Sequence, residues 1–139
     1  MIRDLVKDDA ILSQRCEKAT AEDAALVDDL VDTLNSLEEG VCLAANQIGV
    51  TKAVVVYMDD DKTPHALFNP RILLGLRPFP ATEGCLSRED VAKVRRFQKI
   101  KVAFDELVDG QLKPRKRDFT GWTAQMVQHM VDHCNGKLV

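Results

Sequence analysis

The clearest periodicity lies near the N-terminus. Val27, Leu30, Val31, Leu34 and Leu37 form one apolar stripe at helical spacing and predict a helix over 21–38. Thr20 suits its N-cap, Asp23 three residues on completes a capping box, and Gly40 can terminate it. After the small, apolar stretch from Val41 to Val50, Ala53 to Met58 is β-branched and apolar and predicts a buried strand. Ala66-Leu67-Phe68 predicts a short strand stopped by Asn69-Pro70, and Arg71 to Leu76 another, with Pro78 and Pro80 bracketing a loop or an edge. Ile100 to Phe104 alternates apolar and polar as a half-buried strand does, and Lys116 to Phe119 is its expected hairpin partner across Asp109-Gly110. Helical spacing returns at the end. Trp122, Met126, His129, Met130 and His133 share a face of a helix from Thr120 or Thr123 to Asn135, stopped by Asn135-Gly136. The fold class expected is α+β: an N-terminal helix, antiparallel strands and a C-terminal helix.

Composition adds bounds. The 139 residues predict one domain, 1–139; 45% apolar and 29% charged residues are ordinary for a globular chain. No stretch approaches the roughly 20 apolar residues of a membrane span, and Met1 to Asp9 carries acids without the apolar centre of a signal peptide. These features predict a cytoplasmic protein with no membrane association. The net charge of −3 argues against a nucleic-acid partner, so the basic run of Lys113, Arg115, Lys116 and Arg117 reads as a solvated hairpin strand. Four cysteines (Cys16, Cys42, Cys85 and Cys134) in a cytoplasmic chain point to metal or catalytic roles before disulfides.

His129 and His133 stand four apart on the predicted helix, which places both imidazoles on one face. Alone, such a pair is more often coincidence than a ligand set. Three ordered segments change that reading: Gly40-Val41-Cys42-Leu43-Ala44-Ala45-Asn46-Gln47, then Glu83-Gly84-Cys85-Leu86-Ser87, then His129-Met130-Val131-Asp132-His133. Together they resemble the signature motifs of the peptide deformylases, G-x-G-φ-A-A-x-Q, E-G-C-φ-S and H-E-x-x-H, and the resemblance spans nearly the whole chain.

The resemblance implies that Cys85, His129 and His133 hold one divalent metal ion, ferrous iron in most of the family, with zinc, nickel or cobalt able to occupy the same ligands. Three protein ligands leave a position open, as catalytic sites do. It further implies that the amide of Gln47 and the backbone N–H of Leu86 stabilise an oxyanion. Glu83 and Asp132 either orient the imidazoles or form plain salt bridges. Arg96 matches an arginine that contacts substrate, with Arg95 beside it as the other registration. Val41, Trp122 and Met126 either line a pocket for a methionine side chain or are plain core. The implied reaction removes the formyl group from the N-terminal formyl-methionine of new polypeptides, so the implied partners are N-formyl-methionyl peptides. Longer relatives carry a C-terminal extension that some use for ribosome contact; the chain stops at Val139, so ribosome docking is not supported.

Three positions depart from the pattern. Met130 stands where the family has its acid/base glutamate, and a thioether has no proton to exchange. Asp132 points to another side of the helix; Glu38, Glu39 or Glu83 could substitute only if the fold brought one to the reacting water. Cys42 replaces a glycine at the substrate cleft, either as a tolerated small residue or as a thiol near the metal. Cys134 replaces a leucine and reads as core. The expectation is therefore a deformylase-like metallohydrolase with impaired activity, or an inactive paralogue that binds metal or formyl-peptides without turnover.

Overall fold

The computed structural model describes residues 1–38 and 40–139 and, for 88–90, the backbone alone. A one-turn helix α1 (Asp9–Leu12) precedes a 3-10 turn (Ala21–Ala24) that runs into α2 (Ala25–Asn35). The Thr20–Asp23 capping box forms, with each side chain bonded to the other residue's backbone N–H or its neighbour's. The helix ends earlier than expected, at Ser36, and Gly40 does not terminate it. Gly40 instead makes a close approach: a Cβ there would lie 2.8 Å from Leu34.

Five strands follow, β1 (Cys42–Ala44), β2 (Val54–Met58), β3 (Pro64–Cys85), β4 (Arg88–Val108) and β5 (Gln111–Thr120), and α3 (Gly121–Cys134) closes the described chain. The strands form one antiparallel sheet in the order of the sequence. This is the α+β architecture expected. The β2 side chains alternate between two apolar layers. Val54 and Val56 pack with Leu30 and Leu34 of α2, whereas Val55 and Tyr57 pack with Ala124, Val127 and Val131 of α3. Helices on both faces explain why β2 reads as continuously apolar rather than alternating.

Two strand boundaries differ from expectation. Asn69-Pro70 does not stop a strand; β3 runs through it, with an irregularity between Phe68 and Arg71. Asn69 takes a left-handed φ of 53°, which Asn tolerates, and its side chain ties Ala19 and Asp105 to the bulge. Pro78 and Pro80 lie inside β3, opposite Phe97 and Arg95, where β4 is its one strand partner among the described residues. That is an edge, where a missing N–H is tolerated. The Asp109-Gly110 hairpin forms as expected, both residues having positive φ, and the basic side chains of β5 are exposed, with Arg115 bonded to Glu106.

The metal-motif helix is anchored at both ends. Gln128 bonds both the N–H and the C=O of Phe97, just beyond the last β4–β5 pair at Lys99. Gly136, at φ 76°, turns the chain out of α3 against the loop after α1, where a Cβ would lie 2.5 Å from the Ser13 carbonyl oxygen. Gly110 has a similar φ, 77°, with open space around it. A left-handed alanine costs about 1–2 kcal/mol. Gly110→Ala should show that loss alone in urea unfolding, and Gly136→Ala distinctly more, because backbone must also move; equal losses would contradict the contact.

Candidate metal centre

Two elements deliver the candidate ligands. Cys85 ends β3 at the tight turn into β4, and His129 and His133 project from adjacent turns of α3. Their ligand atoms all lie within 4.8 Å of one another, and Cys85 Sγ is 3.4 Å from His133 Nε2. Sulfur and nitrogen donors of a four-coordinate ion, at about 2.3 and 2.0–2.1 Å from it, lie roughly 3.5 Å apart. The imidazoles are tilted by 57° with centroids 4.9 Å apart, so the rings converge without stacking. One thiolate and two imidazoles in this geometry fit a divalent transition-metal ion.

Glu83 fixes the first imidazole. Its Oε1 accepts from His129 Nδ1 at 2.8 Å, which selects the tautomer and leaves Nε2 for a metal. Arg96 clamps the same carboxylate through two bonds of 2.9 and 2.7 Å, and Gln125 adds a third donor at 2.9 Å. Burial alone would raise the Glu83 pKa; the bonds from His129, Arg96 and Gln125 outweigh it and hold the carboxyl at about 2. Burial would likewise raise the Cys85 thiol, but His129 and His133 bring it down to about 6. For His129, burial acts downward, and bonds to Cys85 and Glu83 lift it to about 9.

Gln47 sits in the 3-10 turn after β1 (Ala45–Ile48). The N–H of Ala44 donates to its Oε1 at 2.9 Å, so the amide nitrogen must face the other way, 3.1 Å from Ser87 Oγ and 3.5 Å from Cys85 Sγ. Asn46, its neighbour, donates to the His133 carbonyl at 3.0 Å. A cavity of about 520 Å³ opens beside the cluster, lined by Val41, Cys42, Gln47, Leu86, Trp122 and Met126 as well as Glu83, Cys85, His129 and Met130.

One placement departs from expectation, and two decide between readings the sequence left open. Arg96 is not a cavity residue: it is 4% exposed, and its guanidinium is consumed by Glu83 and Asp132, so a substrate contact does not fit this position. Asp132 does not touch an imidazole; it bonds Arg96, with Lys137 on its other oxygen. Cys42 is not among the clustered ligand atoms, and burial, with Cys85 and Glu83 nearby, pushes its thiol up to about 12. Cys134 is buried in the core beneath α3. Of the candidate substitute acids, Glu38 is exposed and does not line the cavity, and Glu39 lies outside the described residues.

Sequence reading missed Ser87, Gln125 and Asn46. Each is a polar side chain bonded to a candidate site residue. Gln125 was detectable, since it precedes His129 by four residues and so shares its helix face. The Asn46–His133 bond joins residues 87 apart, and no local pattern announces it.

Comparison with known proteins came down on one family. The sequence profile of the family described as polypeptide deformylase matches residues 2–139. A peptide deformylase of Clostridium beijerinckii is 39% identical over 140 residues, covering 100% of this chain and 100% of that relative. The crystal structure of a peptide deformylase from Legionella pneumophila matches with a TM-score of 0.86 and 32% identity, covering 99% of this chain and 83% of that one. A class I type b peptide deformylase from Acinetobacter baumannii, bound to Met-Ala-Ser, matches with a TM-score of 0.84 and 26% identity over 99% and 96% of the two chains.

The cluster's protonation dictates how metal affinity varies with pH. A metal needs the Cys85 thiolate and a bare His129 Nε2. With Cys85 near 6 and His129 near 9, the pair carries one proton too many between those values and two below 6. Cobalt(II) affinity, measured by competition with a coloured chelator, should rise about tenfold per pH unit from 6 to 9 and fall more steeply below 6. A flat profile from 6 to 9 would contradict the coupling.

Proposed function

This chain belongs to the polypeptide deformylase family, and from that premise we propose that it binds a divalent ion and N-formyl-methionyl peptides and removes the formyl group slowly, for want of a proton carrier. Cys85, His129 and His133 are the proposed metal ligands, with ferrous iron first and zinc, nickel or cobalt as alternatives. Such an ion supplies an electrophile for the formyl carbonyl and makes water nucleophilic near neutral pH. Gln47 donates to the formyl oxygen as it gains charge. Its orientation is supported by the Ala44 N–H on the opposite end of the amide and by Ser87. The N–H of Leu86, in the turn after Cys85, is the second proposed donor.

Val41, Trp122 and Met126 are proposed to receive the methionine side chain. They line the cavity, and Trp122 is 57% exposed there, as an open apolar wall would be. The Acinetobacter relative's peptide also begins with methionine. Arg96 and Asp132 are positioning residues, holding Glu83 on His129 from behind.

One observation carries the prediction of slow turnover. Among the residues whose side chains are described, Glu83 is the one carboxylate lining the cavity, and it is already committed to His129, Arg96 and Gln125. A group held at about 2 has little tendency to take a proton at neutral pH. Met130 occupies the place of the family's acid/base glutamate and cannot do so at all. The same observation favours a second reading, capture of formyl-peptides without turnover.

Formate release from a formyl-Met tripeptide, with protein loaded anaerobically with ferrous or nickel ion, separates the readings. Met130→Glu should raise the rate by about 10²–10⁴, the usual worth of a positioned acid/base. Binding by calorimetry with no formate above the free-metal blank would leave capture; no binding at millimolar peptide would overturn both.

A further inference from the structure

The wall around the ligand cluster is unusually rich in sulfur. Cys42, Cys85, Met126 and Met130 all line the same cavity, together with His129. Met130 precedes His133 by three residues, so the two are neighbours on the surface of α3, and Met130 shares the cavity wall with His129 and Cys85. It is 2% exposed, which shields its thioether from water. A glutamate there would offer a hard oxygen and a negative charge; methionine offers a soft, neutral sulfur.

Resting on the metal-site reading above, we propose that the Met130 thioether is a fourth ligand, and that Cys85, His129, His133 and Met130 together make a site for monovalent copper. Thiolate and thioether ligands favour copper(I), and one cysteine, two histidines and a methionine is the donor set of copper electron-transfer sites. The Cys42 thiol and the Met126 thioether add polarisable sulfur to a cavity wall that also holds Glu83 and Gln47. Gln47 faces Cys85 through an N–H, which hydrogen-bonds the thiolate without adding a hard donor. The ligand triangle does not depend on Met130, so a harder ion can still bind there. The proposal concerns preference: Met130 moves the site toward soft monovalent ions and away from hard divalent ones.

The test is metal titration of the whole chain, with copper(I) supplied as its complex with a coloured copper(I) chelator and cobalt(II) as the harder, divalent reference. Met130→Leu should weaken copper(I) by about 10–100-fold and cobalt(II) by much less. Met130→Glu should reverse the order of preference. Oxidation of the copper-loaded protein should give a thiolate-to-copper(II) band in the visible that Met130→Leu shifts and Cys85→Ser abolishes. If Met130→Leu binds copper(I) as tightly as the unmodified chain, or if Met126→Leu gives the loss instead, the fourth-ligand assignment is overturned while the triangle stands. If the unmodified chain binds neither ion, or Cys85→Ser binds both unchanged, the metal-site reading itself fails.

Discussion

A buried carboxylate decides what this site can be. Glu83 accepts from His129, Arg96 and Gln125 with its own side chain and that of Arg96 almost fully buried. Taking a carboxylate and a guanidinium out of water costs several kcal/mol each, and only good geometry with full hydrogen bonding offsets that. Here the bonds are made to residues on three elements: Glu83 on β3, Arg96 on β4, and His129, Gln125 and Asp132 on α3. The network therefore fastens helix to sheet and sets one imidazole's tautomer in the same act. Its consequence is restrictive, because a carboxylate so fully satisfied has no lone pair or proton to lend to a reaction.

The rest of the fold delivers ligands to that network. The long β3–β4 hairpin carries Cys85 at one end, next to an irregularity between Glu83 and Cys85 that breaks the two-residue alternation of side chains. Two residues on one strand that would otherwise share a face are thus free to serve different roles, one as candidate ligand and one as the orienting carboxylate. At the opposite edge of the sheet, β1 and the 3-10 turn after it place Gln47 against Cys85, while Asn46 holds the last turn of α3 by its His133 carbonyl. The candidate ligands come from elements distant in sequence: Glu83 holds the His129 ring and Gln47 approaches Cys85, whereas His133 is held through its backbone carbonyl and its buried Nδ1 has no hydrogen-bond partner among the described residues.

How much of this was legible in the sequence follows from how local each cause is. The α2 stripe, the Thr20 cap, the Asp109-Gly110 hairpin and the span of α3 all rest on residues within a few positions of one another, and all formed. The three motif segments could be joined into one site only through a family resemblance, since no periodicity links residue 85 to residue 133. The errors are long-range. Arg96 was expected at substrate because nothing near it in sequence says that Glu83 and Asp132 will consume it. Asn69-Pro70 was expected to stop a strand because its tie to Ala19 and Asp105, which turns a breaker into a bulge, lies 50 and 36 residues away.

Met130 can be weighed in the same physical terms. A glutamate at a position 2% exposed would put a second carboxylate into a wall that already holds Glu83 and the low-pKa Cys85. Like charges in a dry cavity raise one another's pKa, and that strain is what tunes a glutamate to exchange protons near neutrality. Methionine removes the strain and the proton together. Its side chain also packs into the core cluster with Val127 and Val131, so the apolar contact stabilises the helix that carries both histidines. Residues at active sites commonly give up stability for chemistry, and a substitution in the reverse direction leaves a firmer scaffold with a weaker reaction. The Cys85, His129 and His133 cluster does not require a glutamate at position 130, which is why a chain with Met130 can keep the geometry of a candidate metal centre without a carboxylate there.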